Sequence, residues 1–364
     1  MTARHIVCIA ASICVVALAG CTVGPNYHVP SVPPPPAAFK ELRPPPNGGW
    51  KEAQPSDDQI KGDWWTIYGD PDLSALEAKI EVSNQTLKAA TENYSAAREQ
   101  VRAVRANYWP TLSAGPSISR TGESHNQANV RSGTKYDYNT FALEGQASWE
   151  PDLWGGVRRS VEAARADAQA SAADLANVAL SMHAELAIDY FELRGLDSQK
   201  QLLDNTAKAD ADYLHLTQIR FNGGVATEVD VAQAETQFQT VRAQEIDLQV
   251  ARAQYEHAIA TLIGQPASTF TIAVAPLALK LPDIPAGVPS ALLERRPDIA
   301  SAERRAAAAN AQIGIAEAAF YPNVQIGGTG GFESANAGTW IQGPSAMWSL
   351  GASAMELLFD AGRR

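Results

Sequence analysis

Tyr108-Trp109-Pro110-Thr111-Leu112-Ser113-Ala114-Gly115-Pro116-Ser117-Ile118-Ser119 is the stretch on which the fold turns. Upstream, from Leu73 to Asn107, the pattern is helical: Leu87, Ala90, Tyr94, Ala97 and Val101 recur at three and four residues. Pro110 stops that helix, because it disfavours the α conformation at Trp109. From Thr111 the period drops to two. Leu112, Ala114, Pro116 and Ile118 point one way, and Ser113, Gly115, Ser117 and Ser119 the other. After a polar stretch from Arg120 to Tyr138 the alternation resumes. Phe141, Leu143, Gly145, Ala147 and Trp149 oppose Ala142, Glu144, Gln146, Ser148 and Glu150. Two such strands fit a transmembrane hairpin with a lipid side and a lumen side, or a soluble hairpin packed on helices.

Roughly 205 to 212 residues later the same program starts again. Arg296-Pro297-Asp298 opens a helix, with proline at an early position where it is tolerated. The helix ends at Ala319-Phe320-Tyr321-Pro322, an echo of Ala106 to Pro110. Val324, Ile326, Gly328, Gly330 and Phe332 then alternate with Asn323, Gln325, Gly327, Thr329 and Gly331. Trp348, Leu350, Ala352 and Ala354 alternate with Ser349, Gly351 and Ser353. Two amphipathic hairpins at equivalent places favour insertion into lipid, with Leu112, Ile118, Phe141, Leu143, Trp149, Val324, Ile326, Trp348 and Leu350 as the lipid-facing residues. Four strands are too few for a bacterial barrel, which starts at about eight. Open sheet edges do not persist in lipid, because each unpaired backbone group costs several kcal/mol. Identical chains must therefore pool their strands around a common lumen.

Val157 to Phe221 contains no proline and is rich in Ala, Leu, Gln and Glu; as one helix it would reach roughly 95 Å. Gly195 is its one weak point. Asn222-Gly223-Gly224 breaks the pattern, Thr227 reads as an N-cap, and a second helix runs from about Glu228 to Ile263. Helices of this length belong to coiled coils and bundles.

At the amino terminus, Arg4 precedes an uncharged apolar run from Ile6 to Gly20, the order of a secretory signal peptide and too short to span a bilayer. Leu18-Ala19-Gly20-Cys21 has the pattern of a bacterial lipobox, so Cys21 is the expected acylation site and the chain's one covalent lipid carrier. Of the 3 cysteines, Cys8 and Cys14 lie in the removed segment. Thr22 is not the aspartate that commonly retains lipoproteins at the inner membrane, which favours the outer membrane. Gly24 to Gly49 is proline-rich and reads as an extended tether between the lipid and the folded body.

Composition excludes several classes. A net charge of -11 without a basic cluster argues against nucleic acid. The 6 histidines are scattered without metal-ligand spacing. No nucleophile sits in a G-x-S-x-G turn, and Gly327-Gly328 with Gly330-Gly331 lack the lysine of a phosphate loop; small strand residues explain them better. Neither a catalytic residue, a metal nor a soluble cofactor is expected.

The chain resembles the outer membrane factor family, in its NodT-type branch of efflux lipoproteins. Gly24-Pro25-Asn26-Tyr27-His28-Val29-Pro30, Trp149 to Gly155 with Arg158-Arg159, Glu294 to Ile299, Ala311-Gln312-Ile313-Gly314 and Ala319 to Pro322 carry the likeness, spread over nearly the whole chain. The resemblance implies a mixed α and membrane-β fold. A long periplasmic α-helical barrel would join a twelve-stranded transmembrane β-barrel closed by a homotrimer, each chain holding two structural repeats. It implies the outer-membrane duct of a tripartite RND-type pump, passively exporting small molecules, with a periplasmic adaptor and an inner-membrane pump as partners. Arg220, Phe221, Asn222, Gly223, Gly224, Val225 and Thr227, at the tip of the long helical hairpin, would then face the adaptor, and either reading of that tip requires both glycines.

The expected organisation is a signal peptide over 1–20, a lipid-anchored tether over 21–62, a first repeat over 63–288 and a second over 289–364. The first repeat holds a β-hairpin at 111–150 and a helical hairpin at 157–263; the second holds a β-hairpin at 323–357. In the family a further long helical pair follows the second hairpin, about a hundred residues by analogy with the first half. The resemblance therefore implies a truncated or incompletely sequenced product, and the family's aperture residues are not assigned. The rival reading is a lipid-anchored periplasmic helical scaffold whose hairpins never enter lipid.

Overall fold

The computed structural model describes residues 22–29, 62–122, 137–278, 293 and 295–363. Cys21, most of the proline-rich stretch, the 123–136 loop and the 281–289 connector lie outside the described residues.

Helix α1, Pro71–Ser83, starts where Asp70 accepts hydrogen bonds from the N–H groups of Asp72 and Leu73, at 2.9 and 3.0 Å. The single helix expected over Leu73 to Asn107 is two. Asn84 interrupts it, and α2 runs over Gln85–Arg105 before a 3₁₀ turn at Ala106–Tyr108. The interruption has a tertiary cause. The Asn84 side chain accepts from the N–H of Leu87 and donates to the carbonyl of Leu262, so it caps α2 while pinning the break to a helix distant in sequence. Gly264 closes the contact: a Cβ there would lie 2.6 Å from the Ser83 carbonyl oxygen.

Helix α3 runs unbroken for 67 residues, Gly156–Asn222. Gly195 does not break it. The roughly 1 kcal/mol helix penalty of a glycine is local, and its neighbours Leu193, Arg194 and Asp197 are all buried and anchored. Helix α4, Glu228–Leu262, begins with a full capping box between Thr227 and Asp230. Helix α5 is Pro297–Ala318.

The described residues form two compact units. One unit, residues 32–95 and 170–302, has its apolar core where α1 meets α3 and α4: Leu73, Leu76 and Ile80 pack with Leu186, Tyr190, Leu193, Ile259 and Ile263. Within it Arg252 and Arg194 lace the 272–275 segment onto the helices. They donate to the carbonyls of Ile272 and Ala273, both at 2.7 Å, and share the fully buried Asp197. The other unit, residues 1–31, 96–169 and 303–364, carries the sheet.

The helical core also holds a buried Glu–His pair. Glu77, fully buried, meets His183 Nδ1 at 2.7 Å, and Trp65 stacks on the imidazole at 4.5 Å. The second carboxylate oxygen of Glu77 has no partner. Burial pushes the Glu77 carboxyl above its ordinary value, against a smaller opposing pull from His183. The folded chain therefore keeps a proton that the unfolded chain has already lost. Glu77 favours folding fully below the ordinary glutamate value and loses that contribution as pH rises through the raised one. Glu77→Gln should flatten the pH profile of thermal unfolding above pH ~4.3 and raise the midpoint at neutral pH by about 2–4 °C. An unchanged profile would show that the carboxyl is not the titrating group.

Candidate functional site

The strands are β1 Thr111–Gly122, β2 Asp137–Trp149, β3 Asn323–Ser334 and β4 Ala346–Met355. They form one antiparallel four-stranded sheet in the order β1-β2-β3-β4, so β1 and β4 are both open edges. Directly paired residues of an antiparallel sheet share a face. The register gives the cross-sheet rows Ile118–Phe141–Ser334, Pro116–Leu143–Phe332, Ala114–Gly145–Gly330–Trp348, Leu112–Ala147–Gly328–Leu350 and Trp149–Ile326–Ala352, and then Val324–Ala354. Every strand residue expected on the apolar side therefore lies on one face: Leu112, Ile118, Phe141, Leu143, Trp149, Val324, Ile326, Trp348 and Leu350. Several are strongly exposed, Leu112 at 80%, Trp348 at 82% and Leu350 at 77%. The opposite face is mostly Ser, Thr, Gln, Asn, Gly and Met, with Ala142 and Tyr138 among them and Glu144 and Glu333 as its charges. A sheet that leaves such an apolar face exposed differs from a soluble sheet packed on helices, which buries it.

The two hairpins meet along one seam, β2 against β3. There the glycines differ. At Gly331 a Cβ would lie 2.0 Å from the Leu143 carbonyl oxygen, so no side chain fits. Gly145, Gly328 and Gly330 instead leave a shallow depression on the apolar face, beside Leu112 and Ala114.

The start of β1, the end of β2, the start of β3 and the end of β4 share one rim. Aromatic residues collect there. Trp149 Nε1 donates to the Tyr108 carbonyl at 3.0 Å, Trp154 Nε1 donates to the Pro322 carbonyl at 2.8 Å, and Trp154 stacks on Tyr321 at 4.9 Å. Trp109 and Phe320 are exposed beside them. Towards the other rim, Phe141 lies 6.0 Å from Trp340. Paired aromatic girdles are the signature of a sheet that crosses a bilayer. Tyr108 and Trp109 thus belong to this aromatic rim as well as to the helix stop.

At the same rim Asp152 holds the start of α3. Its carboxylate accepts from the N–H groups of Val157 and Arg158 and pairs with the Arg158 guanidinium, all at 3.0 Å. Asp152 is therefore a helix cap as well as an ion-pair partner, its side chain 12% exposed.

Residues 22–29 correct the expected tether. They are docked on the sheet-bearing unit through Val23, Gly24, Pro25 and Asn26, because Arg159 and Asn310 bind their carbonyl and amide oxygens. Any extended spacer starts after them. The expected lipidation site, Cys21, falls just outside the described residues.

The hairpin tip lies in the helical unit. Arg220, Phe221 and Asn222 end α3; the N–H groups of Gly224 and Val225 bond back to the carbonyls of Phe221 and Arg220 at 2.9 Å, and Thr227 caps α4. Of the two glycines only Gly224 has a left-handed backbone, at φ +76. At Gly223 a Cβ would make ordinary contacts of 3.5 and 3.6 Å, so that glycine is not required by the turn. Val225 projects outward, 82% exposed.

Among the described residues no helix is long and apolar enough to cross a membrane. Nor do any three or more His, Cys, Asp or Glu among them group as a metal site.

Residues 76–265 and 288–364 match the family described as outer membrane efflux protein. The chain belongs to that family. TtgC of Pseudomonas putida, a probable efflux pump outer membrane protein, is 30% identical over 352 residues, spanning 95% of this chain and 70% of its own length. Nodulation protein T of Rhizobium leguminosarum bv. trifolii is 29% identical, spanning 95% of this chain and 71% of its own. Among solved structures the outer-membrane channel OprN superposes with a TM-score of 0.78 at 28% identity, covering 92% of this chain and 73% of that one. As a member of the outer membrane efflux family, this chain is an outer-membrane efflux protein with a β-sheet domain and periplasmic helices.

Proposed function

We propose that several copies of this efflux protein, three by resemblance, join β4 of one to β1 of the next and so build a closed barrel in the outer membrane. The assembly is a passive duct: small molecules delivered by an inner-membrane pump and a periplasmic adaptor leave through it, and the protein itself makes and breaks no bonds. The observation that carries this reading is the sheet register, which gathers the bulky apolar residues on one exposed face while leaving both edges unpaired. In lipid neither edge is stable alone, and a second copy supplies the missing backbone partners. A wall whose other face is mainly hydroxyl, amide and glycine suits a wet, weakly selective lumen. The covalent lipid on Cys21 adds an anchor and no chemistry.

Purified chain should migrate as a heat-modifiable oligomer and give ion conductance in planar bilayers. A monomer that washes from membranes with salt, without conductance, would instead favour the lipid-anchored scaffold.

The adaptor contact assigned to Arg220 through Thr227 has its own test. Gly224→Val strains a left-handed position by roughly 1–2 kcal/mol and should sharply reduce drug export at normal protein level, whereas Gly223→Ala should leave export intact. Equal export by both variants would remove the tip from the contact with the adaptor.

A further inference from the structure

We propose that Glu77, His183 and Trp65 form a pH-sensitive latch in the helical unit. While the Glu–His pair carries no net charge, the 3₁₀ turn Trp64–Tyr68 stays closed over it. When the pair becomes anionic, the turn swings away about Gly69 and lets water reach the carboxylate.

The latch works through charge. With one titrating proton between them Glu77 and His183 are neutral as a pair, whichever atom holds the proton; without it they carry a full negative charge. The imidazole Nδ1, 2.7 Å from one carboxylate oxygen, can then still donate to it, but the other oxygen has no partner. A buried anion with one oxygen bare is costly, and water relieves that cost. No neighbour offsets it. Among the described residues His183, on α3, is the one titratable group whose charge bears on the carboxyl. The turn faces the imidazole with the Trp65 indole. The core around Trp65 is otherwise apolar: Leu76 and Ile80 come from α1, Leu186 and Ala187 from α3, and Ile259 and Ile263 from α4.

Of the elements that enclose the pair, the turn is the easiest to displace. Helix α1 is held at its start, where Asp70 caps it and the Tyr190 hydroxyl donates to Asp70 at 2.8 Å, and along its length by the fully buried Leu73 and Ile80. Helix α3 is continuous on both sides of His183. The turn has five residues, and its hydrogen bonds are local: Thr66 N–H donates to the Asp63 carbonyl and Gly69 N–H to the Thr66 carbonyl, both at 3.0 Å. Ring contacts seat it, Trp65 on His183 and Tyr68 edge-on to Phe191 at 4.8 Å. Gly69 joins the turn to the Asp70 cap at φ +63, and a Cβ on it would meet nothing within 4 Å. A glycine in open space is a pivot that leaves α1 in place.

The direction follows from burial, which raises the Glu77 carboxyl against a smaller opposing pull from His183. The closed form binds a proton that a hydrated carboxyl releases. Closure is therefore favoured at low pH and lost as pH rises through the raised value. One proton allows the ratio of open to closed turn to rise by up to about tenfold per pH unit.

The test uses the full chain in detergent micelles with 5-fluorotryptophan at its 8 tryptophans, read by fluorine NMR, the Trp65 resonance being assigned with Trp65→Phe. From mildly acidic to alkaline pH the Trp65 resonance should move to a solvent-exposed position, and Trp64, in the same turn, should move with it. Trp154, in the sheet-bearing unit, should hold. In Glu77→Gln, neutral at every pH, Trp65 should stay in place throughout; Glu77→Leu gives the same reading if Glu77→Gln fails to fold. A Trp65 resonance fixed across the range in the parent would overturn the proposal. So would an equal shift in either Glu77 variant, or a shift of Trp154 together with Trp65, which marks unfolding of the whole chain.

Discussion

Leu350→Arg and Gly351→Arg, adjacent substitutions on β4, should give opposite phenotypes. Leu350 lies on the exposed apolar face, opposite Gly328. Gly351 lies on the polar face, opposite Gly327, and a Cβ there would meet nothing within 4 Å. An arginine turned towards lipid near mid-membrane costs about 2–4 kcal/mol, and every copy in the barrel carries it. Assembled outer-membrane protein should fall at least about 30-fold in Leu350→Arg. Gly351→Arg adds positive charge to a water-filled lumen, so assembly should be normal and conductance should shift towards anions. Quantifying heat-modifiable oligomer and the reversal potential in a salt gradient checks both. The reverse pattern would mean that the two faces of the sheet have been exchanged.

Gly331→Val should be the most damaging single change to the sheet. The Cβ would lie 2.0 Å from the Leu143 carbonyl oxygen and 2.9 Å from the Glu144 Cα. Neither contact can relax without separating β2 from β3, the one seam between the hairpins. Overpacking of this kind costs about 3 kcal/mol or more, and the oligomer should be absent. Gly330→Ala is the control: its Cβ would meet nothing nearer than the Met347 carbonyl oxygen at 3.9 Å, so a change within about 0.5 kcal/mol is expected. Oligomer of normal heat stability in Gly331→Val would show that the seam is looser than this geometry allows.

The strands and their two faces were legible because a period of two needs no partner to be read, and all the bulky apolar positions named from it share a face. The long helix Gly156–Asn222 was legible for a similar reason: an unbroken run of helix formers without proline carries its own evidence. Asn84 was not. Its break in the helix depends on the Leu262 carbonyl, which local propensity does not contain. The tip glycines were half legible, since two adjacent glycines announce a turn but only the folded backbone tells which one carries positive φ.

The candidate site divides in the same way. Leu112, Trp348 and the rest of the apolar set follow from alternation, and the Thr227 cap follows from its acidic first turn. The docking of residues 22–29 does not follow from any local pattern. Gly24, Gly155 and Gly314 read as unrelated glycines until the chain brings them within contact distance.

By itself the sequence determined the periods, the breaks and the two amphipathic hairpins, all consequences of local geometry. Only the tertiary structure decided that Gly331 must be bare, that Asp152 caps α3 and that Arg159 receives the amino-terminal segment. Those outcomes depend on close approach between residues remote in the chain, and no local period encodes such distances.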